Sequence, residues 1–254
     1  MAEVIVTPVE DGAFWRVTFS NGKGNVLDAD LMGRLAGVFT RAAGDPALKA
    51  ICLEGSGKHF SFGASVQEHL PGHVERMFAS FRELVFAMLD SHVFVVAAVR
   101  GQCLGGGLEV VSLCHRVVAD GESMFGQPEI ALGVFAPVGS LALTDRIGRG
   151  NAEDLCLTGR SIDAGVAHGM GLVNEIHDHP ADAALAWAKA QFGGRSATSL
   201  RHAVRAIRAD FTAKLRAELP ALEHQYLSEL MNTTDAVEGL TAFLEKRTPA
   251  WRNQ

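Results

Sequence analysis

The apolar run Val93-Phe94-Val95-Val96-Ala97-Ala98-Val99 leads through Arg100-Gly101-Gln102-Cys103-Leu104 into three consecutive glycines, Gly105-Gly106-Gly107, followed by Leu108-Glu109. The run is the strongest strand signal in the chain, and the glycines after it open a helix. Glycine permits an unusual backbone and a close approach by a ligand. A helix start presents unpaired N–H groups and the positive end of a dipole, so it stabilises negative charge. Glu109 lies about one turn beyond Gly106, and its carboxylate can stand over the same pocket. Tight helix–strand packing with Glu109 in solvent explains the same residues, and a short glycine motif does not choose between the two.

The rest of the first two thirds alternates strand and helix signals. Val4-Ile5-Val6 and Trp15 to Phe19 read as strands around a turn at Asp11-Gly12. Asp28 can cap a helix carrying Leu31, Leu35, Val38 and Phe39 on one face. Ala50-Ile51-Cys52-Leu53 suits a strand buried on both sides. Val74 to Leu89 has helical spacing, and Arg116-Val117-Val118-Ala119 is a further strand. This order predicts an α/β core with parallel strands and right-handed crossovers. From about Ala181 the chain reads as helix after helix: Ala183–Phe192, Ser199–Ala209, Thr212–Leu230 with Pro220 as a kink or break, and Asp235–Lys246. We take residues 1–190 as the core that carries the site, and 191–254 as a helical region packed on that core or on another subunit.

Composition narrows the function classes. The 254 residues are 48% hydrophobic and 20% charged, which excludes a disordered chain. A net charge of −6 argues against nucleic acid as a partner. Cys52, Cys103, Cys114 and Cys156 show no CxxC spacing and read as free thiols of a reducing compartment. Met1-Ala2-Glu3 does not read as the start of a signal peptide, and the longest uncharged run, Ile130 to Thr144, is too short to span a bilayer. The expectation is a soluble, cytoplasmic protein with no membrane partner. His177-Asp178-His179 reads as a polar turn, and no metal site is expected.

Two further segments carry possible chemistry. Lys58-His59-Phe60-Ser61-Phe62-Gly63-Ala64-Ser65 follows the Ala50–Leu53 strand, at the end where α/β proteins place ligands. An amide exposed at Ala64 that faced the glycine-rich helix start would complete a pair of converging donors, an oxyanion hole. Taken alone the segment is a plain strand-to-helix loop. In Phe125-Gly126-Gln127-Pro128-Glu129, Pro128 restricts Gln127 to extended geometry and fixes Glu129 on a loop. Glu109 and Glu129 are then candidates for sharing a water. On spacing alone, a salt-bridged or exposed side chain is the simpler reading of each.

Taken together, these segments resemble the crotonase (enoyl-CoA hydratase/isomerase) superfamily over nearly the whole chain. Asn25-Val26-Leu27, Leu157-Thr158-Gly159 with Ala164, Gly171-Leu172-Val173 and Ala242-Phe243-Leu244-Glu245-Lys246-Arg247 with Pro249 add to the match. The resemblance implies a crotonase-like α/β fold, a ββα superhelix core with a helical C-terminal region. It implies that the amides of Ala64 and Gly106 hold a thioester oxygen and that Glu109 and Glu129 are the catalytic pair. Phe62, Gly63, Ser65, Gly105, Phe135 and Pro137 are expected to bind substrate, with Phe243 and Lys246 near coenzyme A across a subunit boundary. The implied activity is a hydro-lyase adding water to an acyl-CoA thioester. No cofactor is required, since coenzyme A is part of the substrate, and the assembly is a homotrimer or homohexamer through the C-terminal helices.

Two departures bear on the acyl group. The family's Pro-Gly-x-Gly-Gly segment is replaced by Leu132-Gly133-Val134-Phe135-Ala136-Pro137-Val138-Gly139-Ser140-Leu141, and Ser65 stands where the family often has Asp. The Val-Phe-Ala-Pro pattern is similar to that of cyclohexa-1,5-diene-1-carbonyl-CoA hydratases of anaerobic aromatic degradation. Those enzymes form 6-hydroxycyclohex-1-ene-1-carbonyl-CoA. A straight-chain enoyl-CoA hydratase, an enoyl-CoA isomerase and a non-catalytic crotonase-fold binding protein remain the alternatives.

Overall fold

A computed structural model covers residues 1–254. The chain opens with a hairpin, β1 (Glu3–Val9) and β2 (Phe14–Ser20), whose turn holds Glu10, Asp11 and Gly12 at positive φ. Helix α1 (Ala29–Gly44) starts where Asp28 Oδ1 accepts from Leu31 N at 2.8 Å, and buries Leu31, Leu35, Val38 and Phe39. Then come β3 (Ala50–Gly55), α2 (Val74–Ser91), β4 (Phe94–Val99), β5 (Gln102–Leu104), α3 (Gly106–Leu113), β6 (Arg116–Ala119) and β7 (Met124–Gly126). A 3-10 turn over Pro128–Leu132 leads to α4 (Pro137–Ile147), α5 (Arg149–Thr158), β8 (Ser161–Asp163), α6 (Ala164–Gly169) and β9 (Glu175–Ile176). Four helices close the chain: α7 (Pro180–Phe192), α8 (Ala197–Ile207), α9 (Ala209–Ser228) and α10 (Thr234–Leu244).

The main sheet has the order β1-β2-β3-β4-β6-β9, antiparallel only at β1. Its central strands are buried on both sides. Ile51, Leu53, Val95, Ala97, Val99 and Val117 face the large core under α1, α2 and α3. Cys52, Val96, Ala98 and Val118 face Ala181 and Ala184 of α7. This period-two division within one apolar run is what a two-sided sheet requires.

Three features differ from the sequence reading. A second, three-stranded sheet, β5-β7-β8, lies outside the main one. Its strands are three residues long, too short for a periodic signal. The uncharged run after Glu129 forms helix α4, with Pro137 at its first turn. Pro220 does not break α9, which runs unbroken from Ala209 to Ser228. The residue lies on the exposed face, where water can take the carbonyl that its missing N–H leaves free, while Leu215, Leu219 and Tyr226 anchor the other face in the core. No helix is long and apolar enough to cross a membrane.

Candidate active site

The segments after β3, after β4 and after β6 are zipped side by side by backbone hydrogen bonds. Ser61 N donates to Gln102 O at 3.0 Å, Leu104 N to Ser61 O at 2.9 Å, and Gly105 N to Gly126 O at 2.9 Å. Asn25, buried and at positive φ, sends its side-chain amide to Ser56 O at 2.9 Å and His59 O at 2.8 Å, and its carbonyl accepts from Ser61 Oγ at 2.8 Å.

Leu27 clamps the residues on either side of Ala64. Leu27 N donates to Gly63 O at 2.9 Å and Ser65 N donates to Leu27 O at 3.0 Å. In extended backbone, successive amides point to opposite sides, so Ala64 N–H faces away from Leu27 and donates to no group of the protein. Gly106 is the first residue of α3, and its amide likewise has no partner. The two sites are adjacent: a Cβ built on Gly106 would lie 3.2 Å from Ala64 N and 3.4 Å from Ala64 Cβ. Glycine is demanded at 105, where φ is +50° and a Cβ would stand 2.6 Å from Glu129 Oε1.

Ala64, Gly106, Glu109 and Glu129 line one cavity of about 640 Å³. Glu109 is 4% exposed, and neither carboxylate forms a salt bridge, in contrast to the exposed or ion-paired side chains that spacing alone favoured. Glu109 Oε1 accepts from Gly139 N at 2.8 Å, in the first turn of α4. Burial pushes the Glu109 carboxyl above the usual carboxylate range, and the amides of Gly139 and Val138 pull it part of the way back. Burial raises Glu129 too, and the negative charge of Glu109 raises it further. Glu129 Oε2 is buried and has no hydrogen-bond partner. Burial and mutual repulsion thus raise both carboxyls toward neutral pH, the range in which a general acid and base work.

Phe62, Gly63, Gly105, Phe135, Pro137 and Phe243 also line the cavity; Ser65 and Lys246 do not. Ser65 is committed elsewhere: its hydroxyl lies 3.4 Å from Gln67 Oε1 and its carbonyl accepts from His69 Nδ1 at 2.8 Å. Lys246 takes a left-handed turn at φ 56° just beyond α10, and it is Arg247 that reaches the wall. The sequence reading missed His69 and the α2 side chains Met77, Phe78 and Phe81 as cavity wall. The α2 periodicity shows that these face inward, but it does not separate core from cavity.

The profile of the enoyl-CoA hydratase/isomerase family matches residues 10–254. The chain belongs to this family. This member of the enoyl-CoA hydratase/isomerase family is 46% identical to a cyclohexa-1,5-dienecarbonyl-CoA hydratase of Thauera aromatica, over 96% of the chain and 95% of that protein. It is 32% identical to a 2,3-dehydroadipyl-CoA hydratase of Escherichia coli, over 91% of each. Its fold superposes on an enoyl-CoA hydratase crystal structure from Mycobacterium avium subsp. paratuberculosis with a TM-score of 0.85 and 26% identity, covering 98% of both chains. The α/β core with a parallel main sheet is thus crotonase-like, as the sequence motifs imply.

Proposed function

We propose that this acyl-CoA hydratase acts on a conjugated ring thioester, adding water to cyclohexa-1,5-diene-1-carbonyl-CoA to give 6-hydroxycyclohex-1-ene-1-carbonyl-CoA. The observation that carries the hydratase part is the pairing, on one cavity, of two unpartnered amides with two buried carboxyls that have no cation. The ring substrate is supported by the 46% identity to the Thauera aromatica relative. Phe135 of the divergent segment, together with Phe78 and Phe81, also gives the cavity an aromatic wall.

Each group then has a task. The thioester oxygen accepts from Ala64 N–H and Gly106 N–H, whose bonds strengthen as the oxygen gains negative charge. Glu109, drawn toward its ionised form by the α4 amides, takes a proton from water as the water oxygen bonds to carbon. Glu129, held protonated by burial and by the Glu109 charge, gives its proton to the carbon at the other end of the electron shift. The proton on Glu109 then passes to Glu129, restoring the starting state. The reaction so written needs no metal or redox group, and coenzyme A enters as part of the substrate. We infer also that the chain works as a homotrimer or homohexamer, since Phe243 lines the cavity while 54% exposed, an apolar rim that a second subunit would cover.

A product assay with straight-chain enoyl-CoAs against cyclic dienoyl-CoAs tests the proposal. The ring dienoyl ester is expected to give the higher kcat/KM. Preference for crotonyl-CoA would overturn the ring assignment and leave the hydratase assignment standing.

A further inference from the structure

One polar side chain stands in the part of the cavity wall built by α2 and its neighbours. His69, on a short 3-10 turn, lines the cavity together with Val66, Met77, Phe78 and Phe81. Its Nδ1 is 2.8 Å from Ser65 O. A carbonyl can only accept, so Nδ1 carries the hydrogen. Burial lowers the imidazole pKa, so the ring is neutral. The remaining nitrogen, Nε2, is therefore a bare acceptor, and it meets no donor of the protein. Tyr226 stands behind the same wall. Its ring packs on Phe78 at 4.7 Å and Phe135 at 5.3 Å, with His69 at 6.4 Å, and its fully buried hydroxyl has no partner.

We propose that His69 is the specificity-determining residue of the acyl pocket, its Nε2 accepting a hydrogen bond from a hydroxyl group carried by the acyl moiety. This rests on the reading of the cavity as an acyl-CoA site and names the acyl class more closely: a ring that carries a hydroxyl away from the carbon that hydration attacks, in place of an unsubstituted one. A hydrocarbon ring leaves the nitrogen desolvated and unpaired. A ketone or a carboxylate sets a second lone pair against it. Only a donor satisfies it.

The test is calorimetric binding of cyclohexanecarbonyl-CoA, its 3- and 4-hydroxy derivatives and its 4-oxo derivative. None of these can lose water by the enzyme's own reaction. The native protein is expected to bind at least one hydroxy ester about tenfold more tightly than the oxo ester, the scale of one specific hydrogen bond. In His69→Leu and His69→Phe that ratio falls to about one, while the plain ring binds as well or better. His69→Gln, which keeps an acceptor, retains part of the preference. A native ratio near one, or the same ratio in all four proteins, overturns the assignment to His69. If none of the four proteins binds any of these esters, the acyl-CoA reading itself fails, and this inference with it.

Discussion

At the scale of single residues, the site depends on which groups have been left without partners. The amides of Ala64 and Gly106 donate to nothing, and Glu129 Oε2 accepts from nothing. In a folded interior such groups are rare unless a ligand uses them. Glu109→Gln and Glu129→Gln are each expected to lower kcat by about 10²–10⁴-fold, the usual worth of a general acid or base, while Kd for a saturated acyl-CoA changes little; steady-state kinetics and calorimetry check both. Gly106→Ala places a methyl against Ala64 N and is expected to cost about 10²–10³-fold in kcat, as loss of an oxyanion donor does. The raised carboxyls also link stability to pH. A carboxyl whose pKa is raised by folding contributes stability below the ordinary glutamate range, and that contribution is lost as pH rises through the raised value. Glu129→Gln removes the loss, so its Tm relative to the native protein is expected to increase from pH 5 to pH 8.5. An equal Tm difference at both pH values would contradict the burial argument.

At the scale of elements, the work is done by short pieces that hold long ones in register. β5 and β7, three residues each, bring the α3 helix start beside the turn that bears Glu129. The N-terminus of α4 points its Gly139 amide at Glu109. A Cβ at Gly139 would come within 2.5 Å of the Gln127 side chain, so Gly139→Ala is expected to shift that amide, lower kcat and move the acid limb of the kcat profile upward. A pH–rate profile reads this directly. Asp28→Ala removes the α1 cap and is expected to cost about 1 kcal/mol of stability, with kcat unchanged; chemical denaturation measures it. The contrast between these elements explains what the sequence could reveal. β4 and α1 announce themselves through a continuous apolar run and a capped apolar stripe. The Glu109–Glu129 pair was legible only through motif resemblance, because its burial depends on α4, whose Pro137-Val138-Gly139 start has no side-chain cap. Within one chain Ser65 and Lys246 do not line the cavity: the Ser65 hydroxyl lies against Gln67, and Lys246 is expected at the cavity of a neighbouring subunit. His69 carried no signal at all, since its role comes from a single hydrogen bond that fixes its tautomer.

At the scale of the whole molecule, the main sheet and its helices act as a frame that brings the segments 62–64, 102–109 and 128–137 to one cavity. Helix α2 and the C-terminus supply further wall: Met77, Phe78 and Phe81 come from α2, Gly239, Leu240 and Phe243 from α10, and Arg247 follows it. If neighbouring copies cover the Phe243 rim, sedimentation will show a trimer or hexamer, and Phe243→Asp will weaken assembly and raise KM together; a monomer with full activity would remove the assembly from the account. The central claim is that the paired glutamates add water to a bound, polarised thioester. Incubation of the enzyme with cyclohexa-1,5-diene-1-carbonyl-CoA in ¹⁸O-labelled water, followed by mass spectrometry of the acyl product, tests it most directly. One solvent oxygen incorporated per product molecule, lost in Glu109→Gln, is the predicted result; a product that forms without label would contradict it.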